Sequence, residues 1–321
     1  MTNLSNIKNH TPKVSVIIPL YNKAQYIKRT LDSVLSQTID DIEIIVIGGN
    51  STDGGEKIVR EYSDSRIHLI KEVGKGVSSA RNQGVGEAKS ELIAFLDADD
   101  EWMPEHLEVI LGLRNKYPCA KIFGTGYQMI AKQKIHLRTL KPEIGDRFIQ
   151  SYYEERVKAG IRNQFLLMSG MAVSKQLFLK IGGFNTNLVV GEDLDLYERL
   201  SVYSGIAYAP EMSVVYYNDL PNNTRHLFPS LPPISWESID ELCETVREHN
   251  DSKLTGCLRY AQMMYSTIGF GNAIRGYRKE SIHVWKKVKF VNYPQVRIVS
   301  YALNILPDCI REIVMKVWYG L

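Results

Sequence analysis

Short apolar runs rich in β-branched residues alternate with amphipathic stretches through the first hundred residues. Val14-Ser15-Val16-Ile17-Ile18-Pro19 predicts a buried strand closed by proline. Residues 24–37 carry Ile27, Leu31, Val34 and Leu35 at helical spacing, so a helix follows. A second β-branched strand over 42–47 ends in Gly48-Gly49-Asn50-Ser51-Thr52-Asp53-Gly54. The pattern continues with a helix over 56–62, a strand over 67–70, a helix over 77–88 and a strand over 92–96. This alternation calls for right-handed crossovers and a mostly parallel sheet covered by helices on both faces, an α/β fold. Beyond Trp102 the pattern loosens to a helix over 105–116, a strand over 120–124 and a polar stretch over 132–163. From about residue 240 the chain reads as helices alone.

In such sheets ligands bind beyond the carboxyl ends of the strands. The polar clusters fall there, at 19–22, 48–54 and 97–100. The most demanding is Phe95-Leu96-Asp97-Ala98-Asp99-Asp100-Glu101-Trp102, where an apolar strand empties into four carboxylates within five residues. Like charges so close repel, and burying them unpaired is costly. Either the turn is solvated or something cationic belongs beside it. Asp-x-Asp at a strand end presents hard oxygen ligands suited to Mg²⁺ or Mn²⁺, ions that also share phosphate oxygens.

Composition narrows the class without naming a function. With 44% hydrophobic and 23% charged residues, the 321-residue chain should fold as a globule with one large domain and an appendage, or as two modest domains. The four cysteines show no CxxC spacing and read as free thiols in a reducing compartment. Residues 1–11 are polar, without the apolar centre of a secretion signal, and no run is long enough to span a bilayer. A cytoplasmic protein is expected. The net charge of +3 is uneven, because residues 275–321 carry nine Lys/Arg against three Asp/Glu.

Several motifs carry a family resemblance: Val14-Ser15-Val16-Ile17-Ile18-Pro19-Leu20-Tyr21-Asn22, Leu31-Asp32-Ser33-Val34-Leu35-Ser36-Gln37-Thr38, Asn50-Ser51-Thr52-Asp53-Gly54, Ala80-Arg81-Asn82-Gln83-Gly84 and Phe95-Leu96-Asp97-Ala98-Asp99-Asp100. In this order, over about residues 13–225, they resemble the family 2 glycosyltransferases of GT-A fold. The resemblance implies a nucleotide-sugar donor, with a UDP-sugar as the leading expectation, a Mn²⁺ or Mg²⁺ cofactor, and inversion at the anomeric carbon. It further implies that Pro19 and Tyr21 lie beside the nucleotide base, that Arg81 contacts the nucleotide, that Asp97 binds the ribose and that Asp99 holds the metal. On the residues alone, Tyr21 reads equally as a surface aromatic, Arg81 as a helix-surface arginine and Asp100 as a helix-start charge.

One departure bears on the donor. Relatives commonly carry an acid that reads the base where this chain has Gly48, leaving the base open. Asn50 and Asp53 are the candidate substitutes, and Asp53 fits equally as a helix N-cap.

A second constellation, Gly182-Gly183-Phe184-Asn185 and then Gly191-Glu192-Asp193-Leu194-Asp195-Leu196, opens an apolar helix. Its acids suit simple N-terminal capping. The resemblance makes Asp193 the general base that takes the acceptor's proton, with Glu192 shaping the acceptor site, and Asp195 reads as a solvated helix residue. The Gln-x-x-Arg-Trp pattern of processive synthases does not follow, which favours single addition. His226 lies where some GT-A enzymes supply a further metal or phosphate ligand, and reads otherwise as a surface histidine.

The expected division is a polar tail (1–12), a GT-A catalytic domain (13–235, with a nucleotide half over 13–102 and an acceptor half over 103–235) and a basic helical extension (236–321). The acceptor would be a saccharide or lipid-linked hydroxyl. The basic end, with Trp285, Phe290, Tyr293, Trp318 and Tyr319, reads either as packed helices with a solvated face or as a segment peripheral to an anionic inner membrane face. No motif supports nucleic-acid binding. Two other functions compete: a non-catalytic nucleotide-sugar-binding module, suggested by Gly48, and a sugar nucleotidyltransferase. The latter wants a Gly-rich basic loop where this chain has Pro19-Leu20-Tyr21-Asn22.

Overall fold

The computed structural model describes residues 10–140, 142–160, 164–218, 220, 236–288, 294–307 and 310. Strand β1 (Val14–Pro19) runs parallel to β2 (Ile42–Gly48), with Val14 opposite Ile42 and Pro19 opposite Ile47. On its other side β1 pairs in parallel with β4 (Leu92–Phe95), and β3 (Ile67–Lys71) flanks β2, again in parallel. The strand order β3-β2-β1-β4 reverses at β1, which opens a crevice at the carboxyl ends of these strands. Up to β4 the expected parallel α/β pattern holds.

Helices cover both faces. On one face, α1 (Ala24–Leu35) lays Ile27, Leu31 and Val34 on Val14, Val16 and Ile18, and α4 (His106–Lys116) adds Leu107, Ile110 and Leu113 to the same core. Each fully buried aliphatic side chain of this kind contributes roughly 1.5–3 kcal/mol. On the other face, α3 (Val77–Glu87) approaches closely because residue 84 is glycine: a Cβ there would stand 2.5 Å from Ile17 Cγ2. The short helix α2 (Gly55–Arg60) links β2 to β3.

Beyond β4 the sheet becomes mixed. The two-residue β5 (Glu101–Trp102) follows, then β6 (Ile122–Ala131), β7 (Lys134–Arg138) and β8 (Arg147–Ile149). The strand expected over 120–124 therefore runs on to Ala131 and turns back antiparallel into β7. This hairpin, together with β8 and α5 (Tyr152–Ala159), gives regular structure to the stretch that reads as merely polar. Strand β9 (Met171–Ser174), leading into α6 (Lys175–Lys180), is antiparallel to both β4 and β6. Strand β10 (Ile206–Tyr217) lies parallel to β6 and antiparallel to β5, so the path ends β4-β9-β6-β10-β5.

The described residues form two compact units. The first takes those of Met1–Phe148, Phe165–Phe184 and Ile206–Asp219, and holds the sheet. The second takes those of Ile149–Gln164, Asn185–Gly205 and Leu220–Leu321. Its helices are α5, α7 (Glu192–Tyr203), α8 (Trp236–His249), α9 (Leu254–Arg275), α10 (Arg278–Lys287) and α11 (Pro294–Ile305). Tyr152, Tyr153, Tyr197 and Tyr260 are fully buried there. Trp285, an aromatic of the basic segment, is also fully buried, packed where a Cβ on Gly269 would come within 2.9 Å of its Nε1. Arg278, Lys279 and Lys286 remain exposed on α10. No helix among the described residues is long and apolar enough to cross a membrane.

Candidate functional site

The loops after β1 and β2 are tied together. Asn22, left-handed at φ 50°, accepts from Thr52 N through Oδ1 at 2.9 Å, and its own N–H donates to Ser51 Oγ at 3.1 Å. Asp53 accepts from Ala24 N (2.8 Å) and from Gly55 N (3.1 Å), so one carboxylate holds the first residues of α1 and α2. The N-cap of α2 is Gly54, which corrects the N-cap expectation for Asp53. Asn50 is exposed and donates to Glu72 at 3.1 Å. Pro19 is the last residue of β1, and Tyr21 beyond it is 61% exposed.

The acidic turn after β4 has its cations. Arg81, buried on α3, donates from Nη2 to Asp97 Oδ1 at 2.6 Å, and its guanidinium lies 5.2 Å from the centre of the Phe184 ring. Lys23 Nζ stands 2.5 Å from Asp99 Oδ2. Arg29 donates to the Asp99 carbonyl at 2.6 Å, stacks 3.7 Å over the Tyr217 ring and stands 3.4 Å from Glu101. Burial pushes the Asp99 carboxyl above its ordinary range, and Asp97 adds to the rise, while the Lys23 ammonium opposes both.

Asp100 is a different kind of acid. It is 1% exposed, accepts from Ser169 Oγ at 2.5 Å, and opens no helix. Burial and the neighbouring Asp97 and Asp99 charges push its carboxyl well above the ordinary range. The expectation of a helix-start charge is therefore corrected: Asp100 is an internal fastener between the turn and the segment before β9. Ser169 Oγ also accepts from Asp97 N at 3.2 Å, and Trp102 Nε1 donates to the Ser169 carbonyl.

Asn82, next to Arg81, bonds both ways to the Phe184 backbone, donating to its carbonyl at 2.9 Å and accepting its N–H at 2.8 Å. Two motifs a hundred residues apart in sequence thus meet behind the acidic turn. Lys23, Arg29 and Ser169 were missed by sequence reasoning. Nothing local marks them, since each acts on a partner about 70 residues away.

In the second unit, Gly191 caps α7 with φ 83°, and Glu192 and Asp193 fall in its first turn. Asp193 Oδ1 accepts from Leu194 N at 2.7 Å. Asp195 is 9% exposed and clamped by Arg199 at 2.5 and 2.9 Å, which corrects its reading as a solvated residue. His226 lies outside the described residues. Of the cysteines, Cys119, Cys243 and Cys257 are free thiols.

The family described as Glycosyl transferase family 2 matches residues 15–180, more than half of the 321. The chain belongs to this family. An uncharacterized glycosyltransferase of Rickettsia prowazekii (strain Madrid E) is 31% identical over 209 residues, 64% of each chain. The putative teichuronic acid biosynthesis glycosyltransferase TuaG of Bacillus subtilis (strain 168) is 40% identical over 127 residues, 39% of this chain and 50% of its own. The match thus spans less than two thirds of either relative. Among solved structures, S. aureus TarS 1-349 in complex with UDP-GlcNAc superposes with a TM-score of 0.68 at 15% identity, over 96% of this chain and 92% of that one. The mannosyltransferase PcManGT from Pyrobaculum calidifontis, in complex with GDP-Man and Mn²⁺, gives 0.55 at 17% identity, over 96% and 88%. The fold of this family 2 protein is GT-A with a C-terminal helical region.

Proposed function

We propose that the protein is an inverting glycosyltransferase that moves one sugar from a nucleoside-diphosphate donor to a hydroxyl of a saccharide or lipid-linked acceptor. The observation that carries this reading is the Asp97-Ala98-Asp99 turn at the carboxyl end of β4, gripped by Arg81 and Lys23 inside a family 2 match. Residues 13–235 would form the catalytic domain and 236–321 its helical extension.

The chemistry of the turn fits a divalent ion. Asp99 offers hard carboxylate oxygens at a strand end, and the described residues gather no cage of three or more His, Cys, Asp or Glu. One or two carboxylates completed by phosphate oxygens is the arrangement Mg²⁺ and Mn²⁺ favour. Asp99 would hold the ion, with His226 as a further candidate ligand. When bound, such an ion supplies charge neutralisation to the departing diphosphate.

This chain's own residues do the rest. Arg81 fixes Asp97, so the carboxylate would meet the ribose already oriented. Tyr21 and Pro19 would border the base, with Asn50 and Asp53 shaping the loop beside it. Asp193 would take the acceptor proton as the hydroxyl attacks, and Glu192 would position the acceptor. Incubation with a panel of nucleotide-sugars and Mn²⁺, followed by release of nucleoside diphosphate, tests the reading. Turnover supports it, whereas tight donor binding without release even by hydrolysis would leave a binding module.

A further inference from the structure

β2 ends at Gly48, where a buried residue without a side chain meets the rim of the crevice. The space beside it is filled from elsewhere. A Cβ built on Gly48 would stand 3.3 Å from Glu56 Cγ, 3.5 Å from Glu56 Oε1 and 3.4 Å from Leu20 Cβ. Glu56, in the first turn of α2, is only 9% exposed, unusual for a carboxylate with no cationic partner among the described residues. Its Oε1 accepts from Ser51 N at 3.2 Å, and Oε2 takes no protein hydrogen bond among the described residues. An acceptor with capacity left over on a largely buried side chain, at the ligand-binding edge of an α/β sheet, suits an N–H donor.

We infer that Glu56 is the residue that reads the nucleobase of the donor, supplying from α2 the carboxylate that Gly48 lacks. This rests on the donor-binding reading above and deepens it. The chemistry of a carboxylate acceptor sorts the bases. Uracil at N3 and guanine at N1 present a ring N–H to it. Cytosine at N3 and adenine at N1 present a lone pair, which a carboxylate repels even where the neighbouring exocyclic amino group donates to it. Glu56 therefore selects a uridine or guanosine diphosphate over cytidine or adenosine diphosphate. Nearby Tyr21, 61% exposed on the residue after Leu20, offers an aromatic face at the same rim.

The test is titration calorimetry of the full chain with UDP, GDP, CDP and ADP in the presence of Mn²⁺. Wild type should prefer UDP or GDP, and the two arms say which base is used. Glu56→Gln keeps an oxygen for Ser51 N but turns an amide toward the base. It should lose roughly tenfold or more for UDP and GDP, as expected for a hydrogen bond to a charged group, and gain for CDP or ADP. A merely structural role would weaken all four alike. Moving the carboxylate back, in Glu56→Ala with Gly48→Asp, should restore the preference that Glu56→Ala alone loses, since removing the Glu56 side chain frees the space beside residue 48. Unchanged UDP and GDP affinity in a folded Glu56→Gln protein, or a uniform loss across the four, overturns the assignment while the donor reading stands. A wild type that binds none of the four overturns both.

Discussion

Lys23 Nζ lies 2.5 Å from Asp99 Oδ2, so the carboxylate proposed to hold a divalent ion is held by an ammonium 76 residues away in sequence. Both side chains are 15% exposed, which keeps water from screening the pair as it would at the surface. The lysine and a metal ion compete for the same oxygens. Lys23→Met is expected to tighten Mn²⁺ binding to the free protein several-fold, equivalent to about 1 kcal/mol. Asp99→Asn is expected to abolish metal-dependent nucleoside-diphosphate binding, because an amide loses most of the attraction for a dication. Electron paramagnetic resonance of free Mn²⁺ and calorimetry report the two effects. Equal Mn²⁺ affinity in wild type and both variants would remove Asp99 as the metal ligand.

Asp193 separates chemistry from binding. Asp193→Asn keeps size and polarity but cannot take a proton. Transfer should fall by the roughly 10²–10⁴-fold of lost general-base catalysis, with donor affinity nearly unchanged. If Asp193 only complements the helix dipole, the variant loses modest stability and turns over normally. Rate and donor affinity measured on the same preparation decide between them.

Glu198 gives a pH dependence to stability. It is 3% exposed, accepts from Tyr260 at 2.5 Å, and burial pushes its carboxyl up to about 8. Unfolded, it would titrate at the ordinary glutamate value. Between the two values the folded chain holds a proton that the unfolded chain has released, so stability is full below the unfolded value and falls as pH rises toward about 8. The slope contributed is at most about 1.4 kcal/mol per pH unit. Melting temperatures of wild type should decline between about pH 5 and 8 relative to Glu198→Gln, which lacks the titration. Parallel curves would show that Glu198 ionises normally.

The exposed bases on α10 test whether the basic end adheres to an anionic membrane face, without disturbing the core of that helix. Trp285 and Val284 anchor that helix, so deleting it would unfold packing, whereas Lys279 and Lys286 point to solvent. Lys279→Glu with Lys286→Glu should weaken adhesion to anionic vesicles by about 1 kcal/mol or more per residue, an effect that fades with salt, and leave donor binding intact. A wild type that ignores such vesicles at low salt would make the basic end purely structural.

Local periodicity determined the fold as far as β4. The apolar runs at 14–19, 42–47 and 92–96 and the helical spacing of Ile27, Leu31 and Val34 are properties of neighbours in sequence, and the structure places them within a residue or two of expectation. Strand-end clustering followed from the same pattern, because parallel crossovers bring carboxyl ends to one edge. What the tertiary structure alone decided is who meets whom at that edge. Lys23 on Asp99, Ser169 on Asp100 and Asn82 on Phe184 join residues 69 to 102 positions apart. Glu56 is close to Gly48 in sequence, yet only the turn between β2 and α2 folds its side chain into the gap. Asp100 reads as a helix-start charge and Asp195 as solvated because an acid's sequence context carries no record of the distant atoms, or the opposite turn of helix, that bury it. Burial is set by surfaces meeting across loops, and a charge becomes internal when those surfaces supply its partner at hydrogen-bond distance.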